Sequence, residues 1–445
     1  MNFFVVLSVL LIQLAKCDDG YKLILVETLW RHGDRSPTAQ LDAFSLNESD
    51  WIFGGGGLGE LTTIGMKEQF TLGKKMKSRY IDSGFLHKFY DSRQIYIRST
   101  DKNRTLISAM SNMLGMFSSG GRPGIDYPEV DGWPRGFMPV PIHAPEIVDS
   151  DCLVNSMCKC KRTETLLDIA HSGTEFQDFI KSSSYEEVCK NLSLITNKVI
   201  TWENLWEIDD IILASEINFP NYTKGLDDEF MEKYNKELIL TNKFVIGLYN
   251  PEMINGINVR VEILKLRAGL LINEIVNRMR AKADCIVDPG NCSGFLDTLK
   301  YYSYSSHDYT LISFLSILRL ETVVAGEENY GQWPSYSADI TFELYLDANS
   351  TAFFKMFYLG NPDSEFENIT PKISGCEDSE YCDLAVLEQI AKQYLPPKPI
   401  QEFCATPPGL ELFSPKSQAL SKSSKLSNIW DFLPLSALIL YVLIC

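Results

Sequence analysis

The sequence predicts an α/β fold in which a mainly parallel sheet is flanked by helices and interrupted by an inserted helical domain. Three strand-length segments each lead into a charged residue and then into a turn or helix: 21–30, 93–100 and 299–306. This alternation is typical of a parallel sheet. Between residues 126 and 255 strand-like patterns are scarce. We therefore predict a discontinuous core, residues 18–125 and 256–410, with a helical cap at 126–255.

The helices of the predicted core are indicated by apolar residues at helical spacing. The second strand enters a helix with apolar positions at Leu106, Met110, Met113 and Phe117. A helix over 59–80 has a mostly apolar face at Met66, Phe70, Gly73, Lys77 and Tyr80. A long helix over 260–284 packs through Leu264, Leu271, Ile275 and Met279. The glycine run at 53–59 lacks the Lys-Ser/Thr of a P-loop, so we interpret it as a flexible loop.

Both ends of the chain resemble processing segments. Residues 1–17 begin with a short apolar run followed by polar residues, which predicts a secretory signal peptide; a buried first helix is the alternative. Residues 411–431 predict a spacer, and residues 432–445 are almost wholly apolar. As a helix these last 14 residues would reach only about 21 Å, less than a bilayer core. A glycolipid anchor signal is favoured over a short membrane span or a soluble product.

Charge, cysteines and sequons indicate a protein of the oxidising secretory pathway. The net charge is −17, which speaks against nucleic acid as a partner. Eleven cysteines favour disulfides, and Cys285 with Cys292 or Cys376 with Cys382 can close local loops. Removal of the signal peptide with Cys17 and of the tail with Cys445 leaves nine cysteines. Cleavage after Ala15 would keep Cys17 and leave ten. The chain has seven sequons, and six of them predict glycosylation: Asn47, Asn191, Asn221, Asn291, Asn349 and Asn368. The seventh, Asn103, would place a glycan close behind Arg98 and is expected to stay empty.

Charged residues at the three strand ends indicate an anion site. In parallel sheets ligands bind beyond the carboxyl ends of strands, where helix N-termini favour anions. Three arginines predict a phosphate clamp: Arg31, Arg35 and Arg98. A histidine among cations holds its proton weakly, so His32 is the candidate nucleophile. His307 would stabilise the phosphate and Asp308 would donate a proton to the leaving group.

This chemistry requires neither a metal nor a cofactor, and we predict none. His87, His143 and His171 are interpreted as ordinary surface or core residues, and Asp34 as a residue that orients the turn. Cys152, Cys158 and Cys160 could suggest zinc, but no second ligand pair follows at finger spacing.

The motifs RHGDRSP at 31–37, IYIRSTDKNRTLISA at 95–109 and SHD at 306–308 resemble the histidine acid phosphatase family. The resemblance runs from about Tyr21 to Cys404 and implies a histidine-phosphatase-like, or phosphoglycerate mutase-like, fold. It implies hydrolysis of phosphate monoesters at acidic pH through a phosphohistidine. Carried over by position, the resemblance implies that His32 is the nucleophile and Asp308 the proton donor. It implies four phosphate ligands: Arg31, Arg35, Arg98 and His307.

The resemblance also implies disulfides between Cys152 and Cys404 and between Cys376 and Cys382. We further expect Cys285 to pair with Cys292, and Cys158 or Cys160 to pair with Cys189.

Three functions stay open at this point. The first is a broad acid phosphatase that acts on small phosphomonoesters at the cell surface, in a lysosome-like membrane or in secretion, as a monomer or as a homodimer. The second is a phytase or lysophospholipid phosphatase of the same superfamily. The third is a catalytically silent cell-surface binding protein, against which the intact His32 and Asp308 argue. A cytosolic mutase-like enzyme is disfavoured by the predicted signal peptide and disulfides.

Overall fold

The structure is a computed structural model that describes most of the chain between residues 20 and 409. The described ranges are 20–39, 47–118, 120–145, 151–219, 227–248, 253–254, 256–292, 294–321 and 333–409. The predicted signal peptide (1–17), spacer (411–431) and apolar tail (432–445) lie outside them, as does the sequon at Asn221. Within these ranges, none of the helices has the length and apolar character that crossing a bilayer would require.

Seven strands in the described residues form one mixed sheet. Their bounds are β1 Lys22–Arg31, β2 Ile95–Ser99, β3 Tyr301–Ser306, β4 Asp339–Leu346, β5 Ala352–Leu359, β6 Glu367–Asn368 and β7 Cys382–Asp383. The order is β2-β3-β1-β4-β5-β6, with β7 also paired to β5.

The prediction of a mainly parallel sheet is wrong for half of the sheet. Only β2, β3 and β1 pair in parallel, and every pair from β1–β4 onward is antiparallel. For β4 and β5 the reason is the tight turn between them, in which the Asp347 backbone N–H donates to Thr351 O at 3.0 Å. A connection this short can join only antiparallel strands.

Helices cover both faces of the sheet and form the separate cap. Their bounds are α1 Thr63–Met76, α2 Asn103–Phe117, α3 Lys161–His171, α4 Thr174–Phe179, α5 Ser183–Thr196, α6 Leu205–Asn218, α7 Asp228–Val245, α8 Val259–Leu264, α9 Leu270–Val287, α10 Phe295–Thr298, α11 Asp308–Ile317, α12 Leu384–Gln393 and α13 Ile400–Ala405. The predicted helix over 260–284 is present as α8 and α9, which are joined by a wider π-type turn over Lys265–Gly269. The predicted helix over 59–80 begins later, at Thr63, and ends in a similar turn.

The core is a three-layer arrangement that follows from the alternation of side chains along β1. Val26 and Trp30 pack with residues of α1 and α2 on one face of the sheet. Leu25 and Leu29 pack with residues of α9, α11 and α12 on the other. β1 lies in the middle of the sheet and is buried on both faces, so its last residue, Arg31, lies in the interior.

The expected faces of α1 and α2 are right at Gly73, Met113 and Phe117, which are buried, and wrong at Phe70 and Met110. The two helices meet through glycines. A Cβ at Gly73 would lie 2.0 Å from Asn112 O, and one at Gly115 would lie 2.2 Å from Phe70 O. This close approach leaves Phe70 and Met110 partly exposed, although both were assigned to apolar faces. The expected positions of α9 are confirmed, since Leu271, Ile275 and Met279 are fully buried (≤ 1% exposed).

Five helices, α3 to α7, occupy the described part of the predicted cap interval, where no strand is found. A core of their own, built from α5, α6 and α7, holds this part together. Residues 120–145 form the irregular entry that the prolines suggested. The exact domain boundaries stay a prediction.

Two predicted disulfides are confirmed, and the others are wrong. Cys285 pairs with Cys292 and Cys376 with Cys382. Cys152, however, pairs with Cys158 in a tight loop, and Cys404 pairs with Cys160. The reason is that Cys160 lies at the start of α3, which packs against α13 and its Cys404. Cys189 is unpaired and buried in the cap core, away from this cluster.

Candidate active site

The sheet register brings the ends of three strands together. Arg31 of β1 lies opposite Ser306 of β3, and Ser305 lies opposite Ser99 of β2. The residues that follow these strands therefore meet at one edge. This is the convergence that the sequence predicts for parallel strands.

The turn after β1 is pressed against the start of α1. A Cβ at Gly33 would lie 2.3 Å from Gly65 O, so a larger residue at either glycine would push the turn away. Asp34 fixes the same contact, since its carboxylate accepts hydrogen bonds from the Thr62 hydroxyl and from Asn218 Nδ2 (2.9 Å). The interpretation of Asp34 as a residue that orients the turn agrees with these contacts.

His32 is buried with its ring in a defined tautomer. Its Nδ1 lies 2.9 Å from Gly33 O, and a carbonyl can only accept, so Nδ1 carries the proton. The lone pair of the neutral ring is therefore on Nε2. Burial, followed by the charges of Arg104 and Arg31, lowers the pKa of His32 well below its usual value. The imidazole stays neutral in acid and can act as a nucleophile.

Three arginines surround this histidine: Arg31 and Arg35, which are buried, and Arg104, which is half-buried. Arg31 donates to Pro334 O at 2.6 Å and stacks 4.2 Å from the Tyr336 ring centroid. Arg35 donates to Ser36 O at 3.0 Å. In each of the three, the buried Nε–H finds no acceptor in the described part of the protein. Unsatisfied donors of this kind are costly unless an anion accepts from them.

His307 and Asp308 lie at the start of α11, across from His32. The two histidine rings are 5.5 Å apart, centroid to centroid. His307 Nε2 bonds the Thr100 hydroxyl at 2.9 Å. Burial and the nearby Arg104 lower the pKa of His307 to about 3.

Asp308 forms an ion pair with Arg31, with Oδ2 2.8 Å from Nη2. Its other oxygen accepts from the Tyr309 backbone N–H at 2.7 Å. Although burial favours the neutral acid, Arg31, Arg35 and His307 together hold the pKa of Asp308 below its ordinary value. A ligand that draws these cations away would raise that pKa.

Arg98 is not part of this site, and the assignment of Arg98 as a phosphate ligand is corrected. β2 continues one residue beyond Arg98, and its alternation buries Ile97 and Ser99 while Arg98 projects from the other face. There Arg98 pairs with Asp151 at 3.1 Å. Arg104, in the first turn of α2, lies in the site instead. The sequence contained the signal, because a first-turn helix residue after a strand lies at the carboxyl edge of the sheet.

A cavity of about 1380 Å³ opens around the cluster. The core lines its floor with the arginines, His32, His307 and Asp308, and α6 and α7 of the cap line its wall. Tyr336, Asp209 and Asp210 also face it, and sequence reasoning missed all three. The arrangement can hold a tetrahedral anion against a neutral imidazole, with a carboxyl group nearby.

The other histidines lie outside the cavity lining. His87 is exposed, His143 stacks on Tyr96 at 4.3 Å, and His171 Nε2 bonds Phe244 O at 3.2 Å. Among the described residues, one group has the spacing of metal ligands, Cys285, Cys292 and Asp297. Its two thiols form a disulfide, and none of its members lines the cavity.

Known proteins resemble this chain over most of its length. The family model of the histidine phosphatase superfamily (branch 2) matches residues 22–359. The chain belongs to this superfamily. A Caenorhabditis elegans protein named "Putative acid phosphatase F26C11.1" is 34% identical over 87% of this chain and 89% of its own. Lysosomal acid phosphatase of Xenopus laevis is 27% identical over 80% of this chain and 74% of its own.

Solved structures of the superfamily share the fold. A Hafnia alvei phytase in complex with tartrate superimposes with a TM-score of 0.60 at 15% identity, covering 87% of this chain and all of its own. The phytase from Citrobacter braakii gives 0.58 at 15% identity, covering 86% of this chain and 99% of its own. The mixed α/β fold of the histidine phosphatase superfamily is thereby confirmed. These similarities concern the fold alone.

Proposed function

We propose that this protein is an acid phosphatase that hydrolyses phosphate monoesters through a phosphohistidine at His32. The observation that carries the proposal is the environment of His32: a buried neutral imidazole, protonated on Nδ1, beside three arginines that each keep a free Nε–H. A phosphoryl group satisfies those donors and presents its phosphorus to Nε2. The acid phosphatase names of the relatives agree with it.

In the first half of the reaction the phosphate is held by Arg31, Arg35, Arg104 and His307. Nε2 of His32 attacks phosphorus in line, forming a P–N bond as the P–O bond to the alcohol breaks. Asp308 gives its proton to the departing oxygen. In the second half, water forms a P–O bond to phosphorus as the P–N bond to His32 breaks. Asp308 takes a proton from that water, and orthophosphate leaves.

The pH dependence follows from the two titrating partners. His32 needs no deprotonation step in acid, because its pKa is already lowered by burial and by Arg104. Asp308 must be protonated, and a bound phosphate raises its pKa by occupying Arg31. Activity is therefore present at low pH and is lost as the pH rises through the pKa of Asp308 in the complex.

The cavity wall favours a single phosphate over a polyphosphate such as that of a phytase substrate. Beyond the arginines, His32, His307 and Asp308, its lysines and carboxylic acids are Lys67, Lys233, Lys236, Glu68, Asp209, Asp210, Glu229, Glu232 and Asp363. Cations do not outnumber acids in this described lining, whereas several phosphates require a cationic surplus. The leaving group also meets apolar side chains, among them Trp206 and Leu213.

The secretory pathway or a lysosome is the proposed location. Four disulfides fit an oxidising compartment, and lysosomal and prostatic acid phosphatases are among the relatives. The signal peptide, the glycans, the membrane-attached tail and a homodimer stay predictions.

Hydrolysis of an aryl phosphate between pH 4 and 8 tests the proposed function. We expect kcat/KM to be highest on the acidic side and to be unchanged by a metal chelator. A wild-type protein that releases no phosphate, or loses its activity to the chelator, would contradict the proposal.

Replacing Arg104 and Arg98 separately tests which arginine binds phosphate. A charge-assisted hydrogen bond contributes about 1.5–3 kcal/mol, so Arg104→Ala is expected to lower kcat/KM roughly 10- to 100-fold. Arg98→Ala breaks only the pair with Asp151 and is expected to lower the melting temperature while kcat/KM stays within about threefold. Equal kinetic losses in the two variants would argue against the assignment of Arg104.

A further inference from the structure

Cap helix α6 reaches the phosphate-binding turn at two polar contacts. Asn218 Nδ2 donates to Asp34 at 2.9 Å, near the C-terminal end of the helix. Asp210 lies two turns earlier and contacts Arg35 and Thr38. The cap thus supplies a carboxylate directly to one of the arginines that would hold phosphate.

The position of Asp210 is fixed without Arg35. Its Oδ2 accepts from the Thr38 backbone N–H at 2.7 Å and from the Thr38 hydroxyl at 2.8 Å. Its Oδ1 lies 2.7 Å from Arg35 Nη2. The side chain is only 8% exposed, so water screens this pair little.

Asp210 therefore acts on Arg35 in two opposite ways. It holds the guanidinium beside His32, where Nη1 is also fixed by Ser36 O at 3.0 Å. It also places a negative charge against the cation that an incoming phosphate needs. An opposite charge within about 4–6 Å changes the ionisation constant of a titratable group by about 10- to 1000-fold. We take this range as the guide to how strongly Asp210 can weaken phosphate binding by Arg35.

We propose that Asp210 is a positioning residue that keeps Arg35 in place and weakens its hold on orthophosphate, so that the product leaves. The proposal rests on the proposed phosphatase function. It does not make Asp210 a proton donor or a direct ligand of the substrate. Its action passes through Arg35.

The test is the inhibition constant of orthophosphate in Asp210→Asn. The amide keeps one oxygen, which can accept from Thr38, while its NH2 group faces Arg35 and carries no negative charge. Arg35 is then held through Nη1 by Ser36 O, with its own charge less neutralised. We expect the inhibition constant and KM to fall about tenfold, and kcat to fall as product release slows. A role limited to holding the fold would not tighten phosphate binding.

Glu207→Gln is the matched control. Glu207 lies on the same helix, and the change removes the same charge, but Glu207 does not line the cavity. We expect its phosphate inhibition constant to match that of the wild type. Should the Asn variant fail to accumulate, Asp210→Ser offers a smaller neutral side chain, and melting curves identify which variants are folded.

An inhibition constant in Asp210→Asn that is unchanged or higher than that of the wild type would overturn the proposal. The same holds if Glu207→Gln tightens phosphate binding equally, since the effect would then reflect net charge alone. Failure of the proposed function is recognised separately, because the wild type would then hydrolyse no phosphomonoester. In that case calorimetric titration with orthophosphate still compares Asp210→Asn with the wild type.

Discussion

His32→Ala is expected to lower kcat for an aryl phosphate by at least about 10³-fold, because the variant has no atom to accept the phosphoryl group. The surrounding arginines would still bind phosphate, so the inhibition constant of orthophosphate should change far less than kcat. A rapid acid- or base-quench with a ³²P-labelled substrate measures the covalent step directly. Label that is stable in base and labile in acid is expected on the wild type and absent from the variant.

His87→Ala is the control for this experiment. His87 is exposed and lies outside the cavity, so its loss is expected to change neither turnover nor labelling. Turnover that survives in His32→Ala, or label that stays on the variant, would rule out His32 as the nucleophile. The rest of the mechanism would then have to be rebuilt around another group.

The parts of the fold that the sequence predicts best are those decided by local pattern. β1 is a mostly apolar run in which Glu27 and Thr28 are exceptions, and from Ile24 onward it is buried on both faces. The positions of α9 were found because Leu271, Ile275 and Met279 are large and regularly spaced. In α1 and α2 the prediction is right at Gly73, Met113 and Phe117 but wrong at Phe70 and Met110, because the contact between the helices runs through Gly73 and Gly115 and large apolar residues beside it are left exposed.

The residues of the site were likewise predicted where a local motif decides their position and missed where tertiary contacts decide it. His32, Arg31 and Arg35 share one turn, and His307 and Asp308 share another, so two short motifs placed five residues correctly in the cavity. Arg98 was predicted because it stands near the end of a strand-length run, but the alternation along β2 turns its side chain to the face opposite to Ile97 and Ser99, and Arg104 lines the cavity instead. Asp210 could not be found from local pattern, because its contact with Arg35 spans the cap and the core.

The disulfides show a similar limit. Pairs that close short loops, such as Cys376 with Cys382, follow from proximity in sequence. The pairing of Cys404 depends on which of three neighbouring cysteines the packing of α3 on α13 brings close. That choice is made by tertiary structure, and the resemblance to the family pointed to Cys152 instead of Cys160.

Asp308→Asn is expected to slow the hydrolysis of alkyl phosphates by about 10²- to 10⁴-fold, the usual contribution of a general acid. An alkoxide is a poor leaving group and needs the proton, whereas a nitrophenolate leaves well without one. With a nitrophenyl ester the variant should therefore form the phosphohistidine almost normally, and its loss in the first half-reaction should be much smaller. Burst kinetics separate that step from the attack of water, in which Asp308 also takes part.

Comparing alkyl and aryl phosphates on the same Asp308→Asn variant controls for any change in phosphate binding. The substitution also removes a negative charge 2.8 Å from Arg31, which changes phosphate binding to the same extent for every ester. A purely electrostatic role would therefore lower the rates of alkyl and aryl phosphates equally, and that result would contradict the assignment of Asp308 as the acid. The expected result is a rate of phosphoenzyme formation that depends much more steeply on leaving-group pKa in the variant than in the wild type. That steepness arises because the unassisted P–O bond must break with its full negative charge on the departing oxygen.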